Sequence, residues 1–282
     1  MQPEEVWIPA SGNIQLVGKR FRPHSDPAGL VVFIHGLLEH SGRYDHLAST
    51  LATAGYEVVS VDLRGHGRSG GARAWIRCFG EYLDDLDNIL VWAREGREHL
   101  PLFLLGHSMG GLITALWTTQ NPGRPRGLIL SAPAVVIGRI FPFLRGLAPV
   151  AAVLLPWARV VRLGAQSLSQ DAQVVADFLA DPLVVHDRIP LRTGNEILRA
   201  SRQLRMRAHL LVAPLLILHG TADRICSLRG SQLLFERART NDKTLRIYPG
   251  FYHDLFHEPD AAQVIGDLLR WLNRRSDRAA GI

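Results

Sequence analysis

The sequence predicts an α/β protein: a mostly parallel central sheet flanked by helices, with a helical cap inserted between two late strands. Three observations carry this. Short apolar runs without alternation, at residues 30–34, 57–61, 101–105, 127–130, 215–218 and 245–248, each stop at a Gly, Pro or polar turn, as strands covered on both faces do. Segments with helical spacing separate these runs. The alternation ends after Pro133 and resumes only at Pro214, a gap too long for a plain loop.

Taken in order, residues 6–22 read as two short strands around the turn Ser11-Gly12-Asn13. Residues 44–54 have helical spacing, and so do 82–98, where Leu83, Leu86, Ile89, Leu90 and Ala93 share a face. Further helices are predicted over 110–120, 231–238 and 261–273, the last with Val264, Ile265, Leu268, Leu269 and Leu272 as its buried stripe. Such alternation specifies a parallel sheet with right-handed crossovers. Residues 134–211 carry no strand signal. They are apolar and helix-compatible, and read as a cap over one end of the sheet. The expected division is therefore a core of residues 1–133 and 212–282 and a cap of residues 134–211.

Composition narrows the function classes. A hydrophobic fraction of 47% with 21% charged residues is ordinary for a folded protein. No apolar run reaches the roughly eighteen residues of a membrane span; the greasiest stretch, 147–161, is broken by Pro149, Pro156 and Arg159. Glu4 and Glu5 stand where a secretory signal would be basic and then apolar. The net charge of +6 comes from scattered arginines, with no basic run interleaved with aromatics, so nucleic acid is not an expected partner. Cys78 and Cys226 form neither a metal site nor a disulfide framework. The expectation is a soluble cytoplasmic protein without a metal.

The sharpest chemical signal is Gly106-His107-Ser108-Met109-Gly110, directly after one predicted strand and before a helix. Glycines on both sides suit a strained strand-to-helix turn that thrusts the serine Oγ out at the sheet's carboxyl edge. A serine hydroxyl needs a base, and the base needs an orienting acid. In this arrangement the partners follow later in the chain, acid before histidine, each just past a strand. Asp223 and His253 meet that requirement. His219, Asp254 and His257 compete, but their offsets from the strand ends favour structural or surface roles. The oxyanion of acyl transfer needs two waiting N–H donors. Met109, after the serine, offers one. Leu37, in the loop after strand 30–34, offers the other. His35 reads as a residue fixing that loop, Asp62 to Ser69 as a tight structural turn rather than a phosphate site, and Cys226 as a bystander thiol.

These motifs resemble the monoacylglycerol lipases of the α/β-hydrolase fold. The resemblance rests on Gly106 to Gly111, on Leu218-His219-Gly220-Thr221-Ala222-Asp223-Arg224, and on Tyr248-Pro249-Gly250-Phe251-Tyr252-His253. It also rests on His35-Gly36-Leu37-Leu38-Glu39-His40-Ser41-Gly42-Arg43-Tyr44, close to the family's His-Gly-x-Gly-Glu-His-Ser-Gly-Arg-Tyr, and on Asp62 to Gly70, Ser131 to Ala134 and Asp181 to Val184. The resemblance implies a cytosolic or membrane-associated serine hydrolase that needs no cofactor and cleaves monoacylglycerols to glycerol and fatty acid. Ser108, Asp223 and His253 would be its catalytic residues, with the amides of Leu37 and Met109 as oxyanion hole. The acyl chain is expected beneath the cap, against Phe141, Phe143, Leu147 and Leu154. The cap's apolar face, with Arg139, Arg145, Arg159 and Arg162 nearby, is expected either to rest transiently on an anionic bilayer or to pack wholly against the body. Leu38 departs from the family, which often has glycine there, and a leucine narrows the alcohol side of the site. Two alternatives stay open: a lysophospholipase or general carboxylesterase, and an inactive lipid-binding protein of the same fold.

Overall fold

A computed structural model of the chain describes residues 2–138, 152–162 and 164–276. The N-terminal hairpin is β1 (Glu4–Ala10) and β2 (Ile14–Phe21), joined through Gly12 and Asn13, both at positive φ. Then follow β3 (Leu30–Ile34), α1 (Asp45–Thr53), β4 (Glu57–Val61), α2 (Gly80–Arg94), β5 (Leu102–His107), α3 (Met109–Gln120) and β6 (Gly127–Ser131). After the insertion come β9 (Leu215–Gly220), α6 (Leu228–Arg237), β10 (Lys243–Tyr248) and α7 (Ala261–Asn273). Eight strands form one sheet in the order β1-β2-β4-β3-β5-β6-β9-β10. The first two join antiparallel, and β4 through β10 run parallel.

The unalternating apolar strands are explained by cover on both faces. Leu30, Val32 and Ile34 of β3 join a core with α2, α3 and α6, whereas Val31 and Phe33 join the opposite core with α1 and α7. Strand after strand divides in this way, so alternation disappears from the sequence although it persists in space.

The insertion holds α4 (Ala172–Ala180) and α5 (Leu191–Arg207), as its helix-compatible composition led one to expect. It also holds a short antiparallel pair, β7 (Arg159–Val161) with β8 (Ile189–Pro190), where no strand is expected from the sequence. Two or three residues cannot establish a period. The insertion is fastened to the loop after β4. Trp157 stacks on Trp75 at 4.3 Å, nearly coplanar at 9°. Arg159 Nη2 and Arg192 Nε donate to the carbonyls of Arg73 and Arg77.

The chain reverses direction across the sheet between β3 and β5, and ligands of open α/β sheets bind at such a point, beyond the strands' carboxyl ends. Parallel register sets Ile34 opposite Gly106. The loop after β3 therefore lies beside the turn after β5. That closeness demands Gly110: a Cβ there would stand 2.0 Å from the Ile34 carbonyl oxygen and 2.6 Å from that of His35. Both are backbone atoms with nowhere to go. Gly110→Ala should destabilise the fold by about 3 kcal/mol or more, read as a lowered urea midpoint. Gly80→Ala, whose new Cβ meets only Cys78 Sγ at 3.7 Å, should stay within about 0.5 kcal/mol of the parent.

Candidate active site

Ser108 occupies the turn between β5 and α3 with φ 52° and ψ −113°, backbone values that a non-glycine residue adopts only when its surroundings enforce them. Its N–H donates to Ser131 O at 2.9 Å, and its carbonyl accepts from Ala134 N at 3.0 Å and Leu112 N at 3.1 Å. Gly106 gives the turn room, since a Cβ there would lie 2.4 Å from the Gly110 carbonyl oxygen.

The three residues singled out in sequence converge. Ser108 Oγ lies 2.9 Å from His253 Nε2, and His253 Nδ1 lies 2.7 Å from Asp223 Oδ2. This geometry fixes the tautomer: Nδ1–H donates to the carboxylate, leaving Nε2 to accept from the hydroxyl. Asp223 divides its oxygens. Oδ1 accepts from the backbone N–H groups of Ile225 and Cys226 at 2.8 and 2.9 Å, which leaves Oδ2 for the imidazole. Burial opposes charge on Asp223, but His253 and His219 beside it outweigh burial and hold its carboxyl far below the usual range. Burial likewise pulls down the basicity of His253, yet the charge and hydrogen bond of Asp223 overcome this and raise it above the ordinary value.

Leu37 and Met109 both line a small apolar recess of about 40 Å³ that opens on Ser108. Met109 begins α3, whose first amides have no partner within the helix and carry the positive end of its dipole. A larger cavity of about 320 Å³ also opens on Ser108 and His253. Leu168, Phe178, Leu179 and Val185 supply its apolar wall, and Glu39, His107, Gln166 and His186 supply polar groups. Leu154 does not line either cavity; it is 73% exposed on the outer surface. It is an apolar residue in a short helical turn whose neighbours Val153 and Leu155 also face outward. Phe141, Phe143 and Leu147, like Arg139 and Arg145, lie outside the described residues.

The competitors hold the site together. His219 is fully buried, with Nδ1 at 2.7 Å from Ser231 Oγ, and Nε2 at 3.1 Å from Cys226 O and 3.3 Å from Asp223 Oδ2. It approaches the same Asp223 oxygen that His253 uses. Asp254 turns away from the serine and takes Arg43 Nη2 at 3.0 Å and His257 Nδ1 at 2.9 Å. Arg43 also pairs with Glu39, whose Oε1 accepts the Gly36 N–H at 2.6 Å. His35 fixes the same loop by donating from Nδ1 to Gly36 O and accepting Leu63 N–H at Nε2. Burial lowers its basicity and keeps it neutral. Asp62 serves its own neighbourhood, accepting from Ser41 and from Arg68 N, whereas Arg64 leaves the turn to pair with Asp85 of α2. Cys226 is buried among the lining residues of the recess, and burial with the nearby Asp223 charge pushes its thiol well up. Sequence reasoning missed the joint task of Glu39 and Asp254. The only signal was an acid adjacent to each key segment.

Among the described residues no group of histidine, cysteine and acidic side chains has the arrangement of a metal site, and no helix is long and apolar enough to cross a membrane. The arrangement can instead relay a proton from a hydroxyl to an imidazole oriented by a carboxylate. Comparison with known proteins gives the same chemistry a lineage. Residues 25–260 match the family described as serine aminopeptidase, S33. The chain is 38% identical to a monoacylglycerol lipase of Mycolicibacterium smegmatis over 93% of this chain and 94% of that protein. It is 33% identical to the monoglyceride lipase of Homo sapiens over 92% and 87% of the two chains. The crystal structure of a monoacylglycerol lipase from Paleococcus ferrophilus superposes with a TM-score of 0.83 at 31% identity, covering 98% of this chain and all of the other. The chain therefore belongs to the serine aminopeptidase S33 family of the α/β-hydrolase fold, alongside the monoacylglycerol lipases, and is an ester hydrolase.

Proposed function

We propose that the protein hydrolyses monoacylglycerols to glycerol and fatty acid through an acyl-enzyme on Ser108. The observation that carries this reading is the unbroken hydrogen-bonded chain Asp223–His253–Ser108, opening on a cavity with an apolar wall. His253 takes the Ser108 proton as Oγ attacks the ester carbonyl. The N–H groups of Leu37 and Met109 receive the growing negative charge. Asp223 stabilises the imidazolium, which then protonates the leaving glycerol oxygen. Water enters, gives its proton to the same imidazole and releases the fatty acid.

Residues 134–211 act as the cap. The acyl chain lies against Phe178, Leu179 and Val185, each buried methylene contributing roughly 0.8 kcal/mol. A few methylenes thus outweigh a single headgroup hydrogen bond, worth about 1 kcal/mol, and chain length governs affinity. The cap's outer face, with Val153, Leu154, Leu155 and Trp157 more than half exposed, rests on anionic bilayers, whereas Arg162 lines the larger cavity and Arg159 is held by Asp187 and the carbonyls of Arg73 and Arg188. The inert lipid-binding alternative is disfavoured because all three members of the relay are present and in contact.

Side-by-side assay of monooleoylglycerol, lysophosphatidylcholine and a short p-nitrophenyl ester should favour the glyceride, with all turnover and all fluorophosphonate labelling lost in Ser108→Ala. Preference for the lysolipid would instead identify a lysophospholipase. Because His253 must be neutral to accept a proton, and Asp223 holds its basicity above that of an ordinary imidazole, kcat/KM should fall as pH drops, with the acid limb lying above the ordinary imidazole range. Asp223→Asn should move that acid limb to lower pH and cut kcat by about 10⁴. Sedimentation with vesicles should show binding to anionic but not zwitterionic lipid, and Leu154→Ser with Trp157→Ser should abolish it.

A further inference from the structure

We propose that Leu38 is a positioning residue that couples the cap to the oxyanion hole: gripped by the cap, its side chain holds the loop after β3 in a left-handed turn that aims the Leu37 N–H. The proposal deepens the reading of Ser108 and Leu37 given above and rests on it.

Leu38 has φ +70°, a region where a branched apolar side chain crowds the following carbonyl and which glycine visits freely. Such a conformation persists only where the surroundings over-determine it. Here the surroundings are the cap. The Leu38 side chain is 4% exposed and packs with Ala74 of the core and with Val185 and Ile189 of the inserted segment. Its carbonyl accepts the Val185 N–H at 2.8 Å. Two residues on, His40 Nε2 lies 2.8 Å from Asp181 Oδ2, in the same inserted strip. On the other side of Leu37, the Gly36 N–H is held by Glu39 Oε1 at 2.6 Å. Leu37 thus stands between two anchored neighbours, one fixed from the core and one from the cap. If the cap withdraws, the Val185 and Ile189 contacts and the bond to the Leu38 carbonyl are lost, and Ala74 alone does not keep Leu38 left-handed. The loop relaxes to negative φ, and the Leu37 amide turns away from Ser108. The oxyanion hole is complete only while the cap is seated.

The test compares Leu38→Ala with Leu38→Gly. Alanine keeps the Cβ that makes φ +70° unfavourable but removes the contacts that enforce it. Glycine removes both, and is at ease in the left-handed region. With active sites counted by fluorophosphonate titration, Leu38→Ala should lose about tenfold or more in kcat, part of the 10²–10³ carried by a whole oxyanion donor, with KM within about twofold. Leu38→Gly should recover to within about threefold of the parent. A side chain that merely fills space gives the opposite order, because glycine removes more than alanine; that order, or a loss confined to KM, overturns the proposal. A second arm holds if Leu38→Ala fails to fold. Asp181→Ala, which loosens the strip through His40 without touching either cavity, should lower kcat in the parent but leave that of Leu38→Gly unchanged, whereas additive losses overturn the coupling. Should the parent itself turn over no ester, or Ser108→Ala remain active, the hydrolase reading fails first and the coupling falls with it. Parental turnover with the wrong variant order fails the coupling alone.

Discussion

The close approach of α3 to the end of β3 is the constraint on which the site depends. Gly110 touches the carbonyls of Ile34 and His35, so the helix begins almost against the neighbouring strand. The chain between β5 and α3 must then reverse within one residue, and Ser108 takes the strained backbone that results. Hydrogen bonds from Ser108 N to Ser131 and from Ala134 N to Ser108 O hold the turn from the other flank. The strain is thus enforced by sheet geometry on both sides. Its consequence is functional: a side chain in that conformation projects off the sheet edge instead of packing along it.

Two neighbouring carboxylates follow from the same economy of space. Asp223 and Asp254 both lie within the buried surroundings of His253, yet only Asp223 faces it. Backbone amides hold one oxygen of Asp223, and His219 supports the other. Asp254 is neutralised elsewhere, by Arg43 and His257, whose charges outweigh burial and keep it ionised. The Asp254 charge adds to that of Asp223 in raising the imidazole, and its pairing with Arg43 and His257 offsets that contribution. Arg43 also reaches Glu39. One guanidinium therefore ties the loop after β3 to the loop after β10, the two segments that must stay in register around the serine.

Much of this was legible in sequence, for physical reasons that mark its limits. Strands buried on both faces announce themselves as apolar runs, and all six runs have their place in the sheet; five are buried throughout, whereas β10 is an edge strand with Arg246 and Ile247 exposed. The serine turn was legible because sterics demand glycines at fixed offsets from it. Asp223 and His253 could be read because each must follow a strand end in the parallel sheet. The β7–β8 pair was not legible, being too short for a period. Nor was the bracing by His219, since its partners depend on how the chain folds back through Ser231 and Cys226. Leu154 misled because an apolar side chain says nothing about which way a single helical turn will face. Leu38 was visible as a leucine where glycine is usual. That its backbone nonetheless keeps the glycine-like conformation is a fact of packing, which no local pattern records.

The insertion is unevenly bound to the rest of the chain. Helix α5 packs along α3, and its Ile197, Ala200 and Leu204 belong to the same buried cluster as the faces of β3 and β5. Ser201 Oγ donates to Ala134 O and Arg205 Nη1 to Val135 O, fixing that helix to the chain as it leaves β6. Removing α5 would open the core itself, and by the cost of exposing several fully buried aliphatic side chains, roughly 1.5–3 kcal/mol each, it cannot swing as a lid. Helix α4 is different: none of its residues is buried. It is tied at both ends: Ser169 Oγ donates to His257 O and Asp254 N to Leu168 O before it, Phe178 lies against the Arg43 guanidinium, and the strip from Asp181 to Ile189 after it touches the loop after β3 at Leu38 and His40. The insertion is thus built into the core along α5 and spans the cavity at α4, whose Phe178 and Leu179 line it, and the strip that follows α4 contacts the loop carrying Leu37.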